Sequence, residues 1–269
     1  VTLGRFIKNA QAFHPEQWPF PNALEGIWYE NYKAENTSWQ LAVIHKAMPR
    51  FSGDFETIGN SMGVAGFGVN PDGSPSGYRN NVNSYALIVG NYNRLFSSNL
   101  SVDIWDYFIE GVMNTLLVEP KMHFPERGLN LSMKGLIQTK VGEGGNSNEQ
   151  LRYKSDPFAI YLGLRVEKQI GLNTFQLNFT RITDDGRLLM PREWGFEPFY
   201  TFQKRTRIEG SRDALGIMAK WIKNWSSEDL QFEFISSLGK NHLPRASDYV
   251  RNKYQVPSHV HIDAELSVQ

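Results

Sequence analysis

Few residues of this chain are spaced in a way that predicts catalysis. Asp184 and Asp185 form a carboxylate pair of the kind that glycosidases use, but a pair without pocket geometry carries little weight. His259 and His261 share one strand face and resemble a metal pair only superficially. The glycines of 63–68 lack the Lys-Ser/Thr of a phosphate-binding loop, and the absence of cysteine excludes thiolate catalysis and thiolate metal sites. We therefore expect no enzyme, no metal site and no cofactor.

The side chains that do repeat regularly belong to strands, and the stretch 172–208 shows this best. In its first segment Phe175 and Leu177 alternate with Gln176. The second segment sets aromatic residues against polar and cationic ones, namely Tyr200 and Phe202 against Gln203, Arg205 and Arg207. Because successive side chains of a strand point to opposite faces, we predict two strands, each with one apolar face and one polar or cationic face.

Alternation of this kind predicts about thirteen strands along the chain and no helix longer than two turns, which is an all-β fold. Short connections alternate with long ones, and the long ones fall near 8–23, 47–83, 141–157, 183–197 and 240–258. The alternation fails once, at the last of these. Short turns at one edge and long loops at the other are typical of an outer-membrane barrel, so we expect 1–269 to be one transmembrane antiparallel β-barrel domain.

A membrane barrel and a soluble protein differ in what their apolar strand faces contact: lipid in the barrel and other side chains in the soluble protein. A β-sandwich, for example one that binds carbohydrate, would pack those faces into a core. Three observations favour the membrane. The polar faces carry mostly uncharged side chains with single charges among them, the strands run to about ten residues, and aromatic residues gather near the strand ends.

The net charge and the hydropathy of the chain exclude two further features, a general attraction for nucleic acid and a transmembrane helix. The 28 basic residues balance the 28 acidic ones, so no broad field attracts nucleic acid. No apolar run is long enough for a transmembrane helix.

Four motifs make the chain resemble the OprD-like outer-membrane porins. The longest is LLMPREWGFEPFYTF at 188–202, which RTRIEG follows at 205–210. The others are LEGI at 24–27, MPRFSGDF at 48–55 and NKYQVPS at 252–258. They keep a consistent order and are spread over most of the chain.

The resemblance implies a barrel of about eighteen strands, more than the alternation predicts here. Because a barrel cannot leave unpaired edges in lipid, we expect both ends of the barrel to be missing from this sequence. The resemblance also implies the outer membrane of a Gram-negative bacterium, with its lipid and lipopolysaccharide as surroundings. The implied activity is passive, charge-selective diffusion of small anionic or zwitterionic solutes that bear a carboxylate.

Porins of this kind place a row of basic side chains on one wall of the lumen, faced by acidic groups on an inward-folded loop, and such charge rings select solutes by sign. The basic candidates on the predicted inner faces are Arg205, Arg207, Arg165, Lys134 and Lys220. The acidic candidates are Asp54 and Glu56 in the 47–83 connection. Arginine suits this role because its planar fork binds carboxylates and stays charged. Alternatively, these are scattered charges of a wet lumen.

Two other functions stay open at this point. The barrel could be an accessory or structural subunit of a larger outer-membrane assembly, with its long loops docking other envelope proteins. The chain could also be the soluble carbohydrate-binding sandwich. Conduction by the isolated barrel favours the porin, and extraction without detergent favours the sandwich.

Overall fold

The computed structural model describes residues 1–11, 22–50, 52–64, 68–78, 80–203, 207–227 and 230–268. Its strands are β1 Thr2–Phe6, β2 Ala23–Ala34, β3 Thr37–Met48, β4 Glu56–Thr57, β5 Leu87–Ser97, β6 Leu100–Ile109, β7 Met113–Phe124, β8 Leu129–Lys140, β9 Phe158–Ile170, β10 Asn173–Ile182, β11 Ala214–Ser227, β12 Leu230–His242 and β13 His259–Val268. The helices are short: α1 is Ile58–Ser61, and 3₁₀ turns lie at Pro125–Arg127, Glu149–Leu151 and Arg192–Trp194.

All thirteen strands belong to one antiparallel sheet, which confirms the all-β prediction. Each long strand pairs with its neighbours in sequence, in the order β1-β2-β3-β5 and then on to β13. The short β4 pairs with the C-terminal end of β3, where Ala47 lies opposite Glu56. The earlier residues of β3 pair with β5. Sequential antiparallel pairing of this kind requires only hairpin connections.

The two faces of the sheet differ as the sequence pattern predicts. One face exposes large apolar side chains on nearly every strand, including Val43, Ile88, Leu116, Met133, Leu162, Leu164, Leu177, Ile217, Leu238 and Ile262. On the opposite face the alternate positions are buried and many are polar, as with Asn91, Glu119, Lys134, Gln138 and Asn178. The first is called the outer face and the second the inner face. A soluble sandwich would bury the apolar set between two packed sheets, so the structure excludes that alternative.

Loop lengths alternate between the two edges of the sheet. Short turns close one edge, and at Gly128 and Gly171 the backbone adopts φ of +55° and +57°, where a side chain is disfavoured. The other edge carries the links 7–22, 49–86, 141–157, 183–213 and 243–258, together with one short turn at 110–112. The alternation therefore runs without the exception predicted at 240–258.

That exception came from a predicted strand that the described residues do not form. The segment from Tyr200 towards Arg207 was predicted to be a strand, but its described residues form a turn at 200–201 and a single bridge at Gln203. Tyr200, Gln203 and Arg207 are all buried, so the alternation of residue types there does not correspond to two faces. The total of thirteen strands agrees with the prediction only because the two-residue β4 replaces this one.

Pairs of aromatic side chains lie on the outer face near the short-turn edge. Trp225 stacks on Phe232 with ring centroids 5.2 Å apart, Trp221 meets Phe234 edge-on at 5.5 Å, and Tyr29 lies 4.8 Å from Trp39. Such rings are typical of a membrane interface. Five other aromatic residues near the predicted strand ends are instead buried: Trp28, Trp105, Tyr107, Phe199 and Tyr200. Among the described residues, no helix has the length and apolar character needed to cross a membrane.

Candidate functional site

The described residues of 187–211, here called the inward segment, lie against the inner face of the sheet. Gln138 of β8 holds the segment through two reciprocal bonds, donating from Nε2 to the Leu189 carbonyl at 2.7 Å and accepting from the Leu189 N–H at 3.0 Å. Lys134, two inner-face positions away on β8, donates to the Pro198 carbonyl at 2.8 Å. The strand thus fixes the segment at two points.

Two glycines let the inward segment approach the neighbouring strands closely. A Cβ at Gly216 of β11 would lie 2.8 Å from Oγ1 of Thr201, and one at Gly239 of β12 would lie 2.8 Å from Nε2 of Gln203. Contacts this short do not occur for real Cβ atoms, so a larger residue at either position would require these side chains of the segment to move.

A second part of the segment is anchored near the long-loop edge. Arg192 forms an ion pair with Glu209 at 2.5 Å between Nε and Oε1, and its guanidinium lies 3.5 Å from the centroid of Tyr254. Burial opposes the charge of Arg192, but the carboxylate of Glu209 outweighs it and raises the pKa above its usual range. Trp194 donates from Nε1 to Oγ of Ser61 at 2.8 Å, which ties α1 into the same packing.

Below the inward segment, towards the short-turn edge, the inner face leaves an open cleft of about 600 Å³. Its walls combine basic, acidic and aromatic side chains from β6, β7, β8, β9, β11 and the inward segment: Trp105, Glu119, Lys121, Lys134, Arg165, Lys220, Phe196, Glu197, Phe199, Tyr200 and Phe202. A second depression of about 350 Å³ shares Lys121 and Arg165 and continues to the short turns. The basic side chains therefore lie between the inward segment and the short-turn opening.

Tyr200 is the centre of the cleft. Its hydroxyl donates to Oε1 of Glu119 at 2.6 Å, while the Lys134 ammonium and the Arg165 guanidinium lie 4.7 and 4.3 Å from its ring centroid. Glu119 also accepts ion pairs from Lys121 at 3.0 Å and from Lys134 at 3.5 Å. One tyrosine thus links the acidic and basic groups of the wall to the inward segment.

Tyr200→Phe is expected to lower the free energy of unfolding by about 1.5–3 kcal/mol, because it removes a buried hydrogen bond to a charged group while keeping the ring. Urea unfolding of the folded protein in detergent measures this. The control is Tyr85→Phe, because Tyr85 is 71% exposed and its replacement should change nothing. An equal loss in both variants would mean that the Tyr200 bond contributes no stability of its own.

Two of the basic groups keep free hydrogen-bond donors. Nε of Arg165 donates to Oδ1 of Asn178 at 2.7 Å, and no described residue accepts a hydrogen bond from its two terminal nitrogens. Lys220 makes no hydrogen bond or ion pair within the described part of the chain, although most of its side chain is covered. Both side chains are half-buried and line the cleft, so these donors can bind an anion that enters it.

The structure brings together some of the predicted site residues and separates others. Lys134, Arg165 and Lys220 line the same cleft. Arg207 does not line it, because its NH1 donates to the Gly195 carbonyl at 2.9 Å within the inward segment. Arg205 lies outside the described residues. Arg207 belongs to no strand, and the row through Arg205 and Arg207 stays a prediction.

The predicted acidic candidates also lie elsewhere. Asp54 is exposed in the link after β3, Glu56 belongs to β4, and neither lines the cleft. Glu119 and Glu197 supply the carboxylates of the cleft instead. Sequence reasoning missed Glu119 although it lies on the polar face of β7, and it had no signal for Glu197, which belongs to a segment without periodicity.

Glu197 holds two arms of the inward segment together. Its carboxylate accepts from the N–H of Ile208 at 3.4 Å and from that of Glu209 at 2.9 Å. Burial and the nearby charge of Glu209 raise the pKa of Glu197 to about 7, although Arg207 acts in the opposite direction. Across the part of the chain that the structure describes, no group of three or more His, Asp or Glu side chains could hold a metal ion.

A network of charges joins three of the long loops. Asp184 accepts from Arg251 at 2.8 Å and from Arg212 at 2.9 Å, and Arg212 lies 3.6 Å from Asp156. Hydrogen bonds from Arg251 and Arg212 lower the pKa of Asp184 to about 2. Next to it, Lys253 lies about 5 Å from the ring centroids of three tyrosines: Tyr78, Tyr153 and Tyr254. Burial lowers the pKa of this lysine to about 8. These contacts tie the long-loop edge together.

Solved structures of porins share the fold of this continuous hairpin sheet. Pseudomonas aeruginosa OccK8 (OprE) superposes with a TM-score of 0.73 at 9% identity, over 99% of this chain and 67% of that one. A BenF-like porin from Pseudomonas fluorescens Pf-5 gives 0.71 at 9% identity, over 99% and 62%. Pseudomonas aeruginosa OccK2 (OpdF) in complex with glucuronate gives 0.67 at 10% identity, over 91% and 61%.

The chain therefore has the fold of the OprD-like porins, as its motifs predict, and it spans 61 to 67% of the length of these three structures. No protein-family model matches the sequence, and no curated protein matches it.

Proposed function

We propose that this chain forms part of the wall of an outer-membrane porin in a Gram-negative bacterium. It would admit small, carboxylate-bearing solutes by passive diffusion through the cleft below the inward segment. It would catalyse no reaction and use no cofactor. Its outer face would contact lipid and lipopolysaccharide.

The observation that carries this proposal is the pair of free donors in the cleft. Arg165 and Lys220 offer guanidinium and ammonium groups on the inner face of a sheet whose outer face is apolar. A carboxylate fits the planar fork of arginine, and a cationic wall raises the local concentration of anions. OccK2, which shares the fold, has been solved with glucuronate, a solute that bears a carboxylate.

The experiment is the reversal potential of the purified protein in a planar bilayer under a salt gradient. Discrete conducting steps with a preference for anions support the porin. The double variant Arg165→Ala/Lys220→Ala should reduce the anion-to-cation permeability ratio severalfold, because it removes two cations from the wall of the passage. Lys223→Ala is the control, since Lys223 lies on the outer face beside Trp225 and should leave selectivity unchanged.

Two results would contradict the proposal. Equal selectivity in the double variant and the wild type would show that the cleft is not the conducting path. A barrel that inserts but never conducts would favour the accessory or structural subunit, and stoichiometric co-purification with other envelope proteins would then support that function.

A further inference from the structure

Glu197 occupies an unusual position among the charged groups of the cleft. It belongs to the inward segment, lines the cleft, and lies next to Pro198, whose carbonyl accepts from Lys134 of the wall. Among the described residues, only backbone N–H groups donate to its carboxylate, and no cation forms an ion pair with it within 4 Å. The other carboxylate of the cleft, Glu119, is by contrast neutralised by two lysines and a tyrosine hydroxyl.

The surroundings of Glu197 hold its two ionisation states close in free energy. Within the inward segment, burial and Glu209 disfavour the carboxylate, while Arg207 and Arg192 favour it. Three residues of the wall lie nearby. Lys134 donates a hydrogen bond to the carbonyl of Pro198, the residue after Glu197, and Arg165 packs on the ring of Tyr200. Tyr161 is uncharged at neutral pH. With a pKa of about 7, the group titrates where a bacterial surface is exposed to changing pH.

We infer that Glu197 is a proton-controlled selectivity residue, which adds a negative charge to the wall of the cleft above neutral pH and removes it below. The inference rests on the proposed function of the cleft as a passage. When Glu197 is ionised, its charge offsets part of the field of Lys134, Arg165 and Lys220. When Glu197 takes up a proton, those three cations act alone and the passage prefers anions more strongly.

The segment is expected to keep its shape in both states. A protonated carboxyl retains an oxygen that accepts from the Glu209 N–H at 2.9 Å, so protonation changes the charge and gives up only the longer 3.4 Å contact with the Ile208 N–H. Glu197→Gln reproduces this neutral form at every pH, because its amide oxygen can accept from the Glu209 N–H while its NH2 group faces Ile208.

The first test compares reversal potentials between pH 6 and pH 8. In the wild type the anion-to-cation permeability ratio should rise by about two- to fivefold as the pH falls, the size expected for removing one charge close to a permeating ion. Glu197→Gln should show the higher ratio at both pH values. His259 and His261 lie on the inner face of β13, so His259→Gln/His261→Gln is the matched control. This control should keep the wild-type pH dependence.

A second test does not depend on conduction. Infrared difference spectra of the detergent-folded protein between pH 6 and pH 8 should show the carbonyl band of one protonated carboxyl, and Glu197→Gln should lack that band. Loss of the pH effect in the histidine variant, or persistence of the carboxyl band in Glu197→Gln, would overturn the inference. A silent channel that retains the Glu197 band would overturn the proposed function and would leave the proton uptake established.

Discussion

Replacing Leu164 by arginine is expected to prevent most of the protein from assembling into a membrane. Leu164 is 50% exposed on the outer face near the middle of β9, where an arginine side chain would face hydrocarbon. Arginine at the midplane of a transmembrane barrel costs about 2–4 kcal/mol. The folded fraction in lipid vesicles, read from heat-modifiable migration on a gel and from urea titration, measures the effect.

The matched control is Ile170→Arg. Ile170 lies on the same face of the same strand, is 57% exposed, and ends β9 at the short turn. At that depth a long cationic side chain reaches the polar interface, so the same substitution should cost little. If Leu164→Arg assembles as well as Ile170→Arg does, the outer face does not contact lipid and the barrel assignment fails.

Glu209→Ala is expected to lower the free energy of unfolding by about 3–5 kcal/mol. The substitution removes the carboxylate that pairs with Arg192, and it leaves a largely buried guanidinium with no ion pair. The loss should be larger than for a hydrophobic truncation of similar size, because a buried charge without a partner is strongly disfavoured. Urea unfolding in detergent, followed by tryptophan fluorescence, measures it.

Asp184→Ala provides the comparison for this prediction. Asp184 also accepts from two arginines, but it is exposed at the long-loop edge, where water and salt screen the pairs. We expect a clearly smaller loss, and one that shrinks further in high salt. A larger loss for Asp184→Ala than for Glu209→Ala would show that the long-loop edge, and not the inward segment, holds the fold together.

The faces of the strands were predictable because a single physical rule fixes them. Leu162, Leu164 and Val166 alternate with Tyr161 and Arg165, and an extended backbone must place these two sets on opposite sides. The same rule placed Lys134 and Lys220 on the inner face. Each such prediction depends only on residues within a few positions of one another.

The inward segment was not predictable in this way. Tyr200, Phe202 and Gln203 mimic a strand in sequence, but a strand exists only if a neighbouring strand accepts its backbone hydrogen bonds. At this place the neighbours β10 and β11 already pair with each other. Local alternation carries no information about that competition, which is settled by residues far away in the chain.

To predict which charged side chains meet in the cleft, one needs the register between neighbouring strands as well as the face on which each side chain lies. Glu119 approaches Lys134 because Val118 pairs with Gly135 across β7 and β8, which sets the two side chains opposite each other. A shift by one residue would have sent one of them to the outer face. The MPRFSGDF motif drew attention to Asp54, but nothing in the sequence could show that the residues after it lie away from the cleft.

The sequential order of the sheet has a consequence for how such a wall can change over evolution. Each hairpin pairs only with the hairpins beside it, so one can be duplicated or lost without altering the pairing of the rest. The inward segment limits which hairpins can be duplicated or lost, because it contacts inner-face residues on several strands between β7 and β12. Variation in barrel width should therefore concentrate among the strands that this segment does not touch.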